Sequence, residues 1–172
     1  MELGFKDQTV ENYLAGDEMM RCFVTDPRAG PIPAAEWARE ILSVTLSEGV
    51  PLEIHKLFAV ARGAMLYGFF FYPLFTLASE QLFRVAETSI AGKCAELGAP
   101  PSVSTFFDRI QWLREGGVFS EEDEALWHSV RRMRNDTSHP SFQISLTFSK
   151  RGLSFACGAV LRKRAVQSLC FG

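Results

Sequence analysis

Hydrophobic residues recur every three or four positions along most of the chain, which is the period of an α-helix that buries one face. The longest such stretch, Leu52–Leu97, contains Pro73. Because proline lacks a backbone N–H and crowds the preceding turn, we expect a kink or two separate helices there. Shorter stretches with the same period predict helices over Thr9–Met20, Ala34–Leu46 and Thr105–Arg114.

A further helix is predicted after Ser120, because serine commonly caps the first turn of a helix. Its first turn is acidic at residues 121–124, and its last turn is basic. The arginines of that last turn are Arg131, Arg132 and Arg134. The helix dipole stabilises each sign of charge at the end where it occurs, so helix formation alone can account for both groups. Pro140 disfavours helical geometry in the residue before it, and we expect the helix to end near Ser138.

The residues after this helix follow a different pattern. Apolar and polar residues alternate over Phe142–Phe148 and again over Leu153–Cys157, which predicts a small β-hairpin. The rest of the chain predicts a mainly α-helical fold. Because the apolar surface of Gly63–Ala91 is too broad for a solvent-facing helix, we expect the other helices to form a bundle around it. The length fits a single domain over residues 1–172.

The composition suits a packed globular protein without a strong attraction to any one partner. Hydrophobic residues make up 47% of the chain and the formal net charge is −2, so no overall field favours nucleic acid or an anionic membrane. The longest uncharged stretch, Gly63–Ser79, is shorter than the roughly 20 residues of a membrane-spanning helix. Residues 1–10 include charged side chains and do not have the pattern of a signal peptide. We therefore expect a cytoplasmic protein that does not enter a membrane.

The cysteines and histidines do not have the spacing of a metal site. The four cysteines are far apart and form no CxxC pair, so we expect reduced thiols, no bound metal and no cofactor. The chain also lacks a phosphate-binding glycine loop, a GxSxG turn and an HExxH motif. His55 and His128 stand alone on predicted helices, and we interpret them as packing or surface residues.

His139 differs from these because of its neighbours. It follows the point where the last predicted helix must stop, five residues after Arg134. Arginine offers a planar fork for phosphate oxygens, and histidine can move protons near neutral pH. The pair can thus bind a phosphodiester and activate a ribose 2′-hydroxyl without a metal. Arg132 also lies within seven residues of His139, so spacing alone does not decide between the arginines. The family resemblance described next implies Arg134 and His139 as the catalytic residues. The predicted substrate-binding residues are Asn135, Arg131, Arg132 and Ser138.

The run Arg134-Asn135-Asp136-Thr137-Ser138-His139, at the end of a late amphipathic helix and followed by proline, resembles the R-x4–6-H motif of HEPN (higher eukaryotes and prokaryotes nucleotide-binding) domains. A polar residue directly after the arginine, here Asn135, is part of that pattern. An earlier long helix with a glutamate, here Glu80, also fits. The resemblance covers about residues 52–140.

The resemblance implies a small helical bundle that dimerises and cleaves RNA without a metal, as in toxin–antitoxin and phage-defence systems. The motif residues of two subunits would then form one composite site, and an antitoxin or another regulatory protein would be a partner. The excess of aromatic surface expected at Phe69–Phe75 and Phe106–Trp112 also favours a homodimer. Some toxins of the family carry a tyrosine that a partner enzyme modifies two residues after the histidine. Ser141 occupies that position here, which argues against this form of silencing.

Two alternatives to an RNA-cleaving enzyme stay open. The first is a HEPN-like module that binds nucleotide or protein and catalyses nothing. The second is a helical protein in which Arg134 and His139 merely cap a helix. An open groove around the pair favours the enzyme, whereas burial of His139 against its own chain favours the capping role.

Overall fold

The computed structural model describes residues 6–23 and 32–137, and within these ranges all regular secondary structure is helical. A short 3-10 helix, Glu18–Phe23, precedes five α-helices. These are α1 (Ala34–Leu42), α2 (Leu52–Tyr67), α3 (Leu74–Glu96), α4 (Phe106–Glu115) and α5 (Glu121–Thr137). The predicted mainly α-helical bundle is confirmed. The predicted hairpin over residues 142–157 lies outside the described residues, and no described helix is long and apolar enough to cross a membrane.

Two helix boundaries follow from the proline and the cap that the sequence contains. α2 ends at Tyr67 and α3 begins at Leu74, so the chain divides into two helices around Pro73. At the start of α5, the Ser120 hydroxyl accepts a hydrogen bond from the Asp123 amide at 3.1 Å. The Asp123 carboxylate accepts one from the Ser120 amide at 3.2 Å. This reciprocal pair satisfies two N–H groups that have no partner within the helix.

Two expected helices differ from the structure. α1 ends at Leu42 rather than at residue 46. The Ser43 hydroxyl donates to the Glu40 carbonyl, and the Val44 amide turns to the Ile41 carbonyl, so the next helical hydrogen bond is not made. The helix expected over residues 9–20 is wrong. A turn occupies residues 10–14, and the 3-10 helix starts only after Asp17.

α3 is the central helix of the bundle and packs against α2, α4 and α5. Its buried side chains cover about half of the helix circumference. They are Phe75, Ala78, Ser79, Leu82, Phe83, Val85, Ala86, Ser89, Ile90, Lys93 and Cys94. Leu77, on the outer side of the helix, is 56% exposed. The segment around α3 therefore has the central position that its apolar surface predicts.

Hydrogen bonds of Asp17 connect the N-terminal segment to the residues between α2 and α3. Its side chain is buried, and its two carboxylate oxygens accept from the amides of Met19 at 3.0 Å and Tyr72 at 2.8 Å. The Asp17 amide donates to the Phe69 carbonyl at 2.8 Å. These bonds replace the helical ones that residues 9–20 would otherwise form.

We expect Asp17→Asn to lower the free energy of unfolding by about 1 kcal/mol. An amide has one acceptor oxygen where the carboxylate has two, so one of the two backbone amides loses its partner. Urea unfolding followed by circular dichroism measures the change. Asp7→Asn makes the same chemical change at an exposed position and should have little effect. Equal stability of the two variants would contradict the role given to Asp17.

Candidate functional site

α5 is held against the rest of the bundle by its middle turns. Trp127 and Val130 are fully buried, and the Trp127 ring stacks on Phe119 with centroids 5.9 Å apart. Leu126 and Met133, which share the helical spacing of Val130, are only half-buried. The buried face of α5 is thus centred on Trp127 and Val130. Trp127 supplies the largest apolar side chain of this helix.

Arg134 lies on the last turn of α5, where its guanidinium contacts Glu87 and Asn135. Its Nη2 atom is 3.5 Å from Oε2 of Glu87 on α3, and its Nη1 atom is 3.4 Å from Oδ1 of Asn135. The side chains of Arg134 and Glu87 are 44% and 36% exposed. Both distances are long for a charge-assisted hydrogen bond, and an exposed ion pair contributes at most about 1 kcal/mol. An incoming phosphate can therefore compete with Glu87 for the guanidinium.

The acidic residue that contacts the motif arginine is Glu87 rather than Glu80. The two glutamates are seven residues apart, which is two turns, so they lie on the same side of α3. The structure brings Glu87 to within salt-bridge distance of Arg134. Glu80, Arg84 and Glu87 recur at helical spacing in the sequence, so both glutamates are candidates for this contact. Which glutamate meets Arg134 depends on where α5 crosses α3 along its length, and the packing of the helices determines that point.

The other two arginines of α5 occupy different surroundings. The guanidinium carbon of Arg131 lies 5.3 Å from the centre of the Phe107 ring on α4. Arg132 is exposed, and its Nη2 atom donates to the Ser129 hydroxyl at 3.2 Å. Neighbouring residues on a helix point about 100° apart, so Arg132 faces away from the side that Arg131 uses. The predicted substrate-binding residues are therefore not one cluster.

Ser138 and His139 lie outside the described residues, so the proximity of Arg134 and His139 remains a prediction. Asn135 is exposed and contacts Arg134, as a residue that orients the guanidinium would.

A polar network between α4 and α5, which the sequence analysis missed, surrounds Glu124. Its carboxylate accepts from Gln111 Nε2 at 3.0 Å and from Arg114 Nε at 3.2 Å. His128 Nε2 lies 3.1 Å from Gln111 Nε2 and 3.7 Å from Glu124. His128 also stacks on Phe107, with centroids 5.3 Å apart and an interplanar angle of 29°. His128 is thus part of a helix–helix interface, in line with the packing role expected for it.

The aromatic segments expected to form a dimer surface are mostly covered by their own chain. Phe75 and Phe106 are buried, and residues 69–72 are half-buried. Phe107, at 46% exposure, is the exposed aromatic residue of these segments. This removes most of the aromatic surface that favoured a homodimer, and the dimer itself stays a prediction.

Within residues 6–23 and 32–137, no three His, Cys, Asp or Glu side chains come together in a way that would hold a metal ion. Cys94 is free and buried, and this burial raises the pKa of its thiol, against a smaller opposite effect of Arg109.

Comparisons of the chain with protein-family models, with curated proteins and with solved structures find no match.

Proposed function

We propose that this protein is a metal-independent endoribonuclease of the HEPN type, with Arg134 and His139 as its catalytic residues. The observation that carries the proposal is the state of Arg134. It lies near the end of an anchored helix, five residues before a histidine, and its side chain is 44% exposed. A guanidinium in that position is accessible to a phosphate and can be oriented before the phosphate arrives.

The proposed reaction uses the RNA's own hydroxyl as the nucleophile. The 2′-oxygen attacks the adjacent phosphorus, the bond from phosphorus to the 5′-oxygen breaks, and a 2′,3′-cyclic phosphate and a 5′-hydroxyl result. His139 takes the proton of the 2′-hydroxyl or gives one to the departing 5′-oxygen. Arg134 holds the phosphate and stabilises its increasing negative charge, with Asn135 orienting the guanidinium. Unpaired RNA is the preferred substrate, because its backbone can adopt the in-line geometry.

The proposal extends to partners and setting. Two copies of the chain bring their motif residues together in a homodimer, which acts in the cytoplasm as a toxin or phage-defence effector. An antitoxin or regulatory protein that covers the end of α5 would control it. Light scattering at micromolar concentration tests the dimer, and a strictly monomeric protein would remove the composite site.

Incubation of unpaired RNA with the purified protein in the presence of EDTA tests the reaction directly. We expect fragments that end in a 2′,3′-cyclic phosphate, no cleavage of DNA of the same sequence, and loss of cleavage in His139→Ala. A reaction that requires magnesium, or that continues unchanged in His139→Ala, would contradict the proposed mechanism.

A non-catalytic nucleotide- or protein-binding module is the second candidate. The observation that favours it is the contact of Arg134 with Glu87, since a paired arginine also serves as a structural residue. RNA that binds tightly but is never cut by the wild-type protein would support this alternative.

A further inference from the structure

Phe107 differs from the other large apolar residues of α4. Phe106, Ile110 and Leu113 are buried in the core, whereas nearly half of the Phe107 surface is exposed. The ring is held in place by two side chains of α5. His128 stacks on it, and the guanidinium of Arg131 lies 5.3 Å from its centre. An exposed aromatic ring with a fixed orientation is the arrangement that proteins use to stack unpaired bases.

The charges around Phe107 favour binding of a polyanion near Arg131 and disfavour it near Asp108. Arg131 forms no salt bridge with any residue in the described ranges, so its positive charge is not compensated there. Glu124, on the other side of His128, is paired with Arg114. Asp108 follows Phe107, and its hydrogen bonds with Thr105 lower the pKa of its carboxyl group, which therefore stays charged. A phosphate is attracted to Arg131 and repelled from Asp108.

The distance to the proposed catalytic arginine fits a short stretch of RNA. Arg131 and Arg134 are three residues apart, which is about 4.5 Å along the helix, and His128 is about 9 Å from Arg134. A stacked strand advances about 3.4 Å for each nucleotide. The ring of Phe107 is therefore about one to three nucleotides from a phosphate held by Arg134.

We propose that Phe107, supported by His128 and Arg131, is a stacking platform for an unpaired RNA base next to the cleavage site, with Arg131 bound to the adjoining phosphate. The inference rests on the proposed function, because it assumes that RNA lies along the end of α5. It adds a subsite that selects single-stranded RNA, since a paired base cannot leave its own stack to reach the ring.

Fluorescence anisotropy with an uncleavable probe separates this subsite from catalysis. The probe is a fluorescein-labelled 2′-O-methyl RNA of about twelve unpaired nucleotides, within the usual site size for single strands. Phe107→Ala should weaken binding by about five- to a hundredfold, and Phe107→Tyr should restore it. Arg131→Gln should weaken binding and reduce its dependence on salt concentration by about one phosphate contact. Tyr67→Ala is the matched control, because Tyr67 is an aromatic residue 61% exposed at the end of α2.

The outcomes distinguish the platform from the proposed function. Wild-type protein that binds the probe through Phe107 but never cleaves RNA would support the platform and refute the nuclease. Cleavage by wild-type protein, with unchanged probe binding by Phe107→Ala, would refute the platform and leave the nuclease standing. A change from dimer to monomer in Phe107→Ala would identify the ring as part of a protein interface and overturn the proposal. An abasic site at the stacked position should abolish the difference between wild type and Phe107→Ala.

Discussion

Arg134→Ala should reduce the rate of RNA cleavage by at least about a hundredfold, whereas Arg132→Ala should reduce it much less. The reason is the difference between their surroundings. Arg134 lies at the end of α5, where it contacts Asn135 and Glu87, and its guanidinium is accessible to a phosphate. Arg132 points elsewhere on the helix and donates to Ser129, one turn earlier. Removal of a positioned group that stabilises charge in the transition state usually costs two to three orders of magnitude.

Single-turnover kinetics with end-labelled unpaired RNA, in EDTA and with enzyme in excess, give the comparison. Because Arg134→Ala also breaks the contact with Glu87, Glu87→Gln is the control for loss of the ion pair alone. We expect it to retain most of the activity, since an exposed pair contributes little to stability. Arg134→Lys should fall between the wild type and Arg134→Ala, because lysine keeps the charge and loses the planar fork. Equal losses in Arg132→Ala and Arg134→Ala would show that the wrong arginine was assigned.

Local signals in the sequence were sufficient to predict where most helices begin and end. Pro73 separates α2 from α3 because it lacks a backbone N–H. Ser120 caps the start of α5 through its side chain. Both effects act within one turn of the backbone. The helical spacing of Phe106, Ile110 and Leu113 indicates one face of α4, and all three residues are buried.

Features that depend on contacts between distant segments could not be predicted in the same way. Asp17, in the segment that was expected to be helical, accepts from the amide of Tyr72, a residue 55 positions away. Glu87, and not Glu80, meets Arg134 because of the level at which α3 and α5 cross. From the sequence, His128 is interpreted only as a packing or surface residue. The packing of α4 on α5 shows that its ring stacks on Phe107. Helical period gives the face of a residue but not its partner.

Gly68→Ala should lower the free energy of unfolding by about 3 kcal/mol, near the upper end of the usual cost of overpacking a core. Gly68 has φ −54° and ψ −23°, which any residue can adopt, so the backbone does not require glycine. A methyl group there would lie 2.6 Å from Cε1 of Phe75, well inside van der Waals contact. The Phe75 ring is completely buried. It cannot move aside easily, because Trp37 and Tyr72 pack edge-on against it at 5.5 and 5.3 Å between centroids.

Gly63→Ala provides the matched control, because it adds the same methyl group to the same region of the chain. Gly63 lies inside α2, and its added Cβ would have no neighbour within 4 Å. Alanine forms helices more readily than glycine, so this variant should be more stable than the wild type by about 0.5–1 kcal/mol. Urea unfolding of the two variants beside the wild type should therefore give shifts of opposite sign. Stabilisation by both substitutions would mean that Phe75 is free to move, and the close packing of the α2–α3 connection against the core would be refuted.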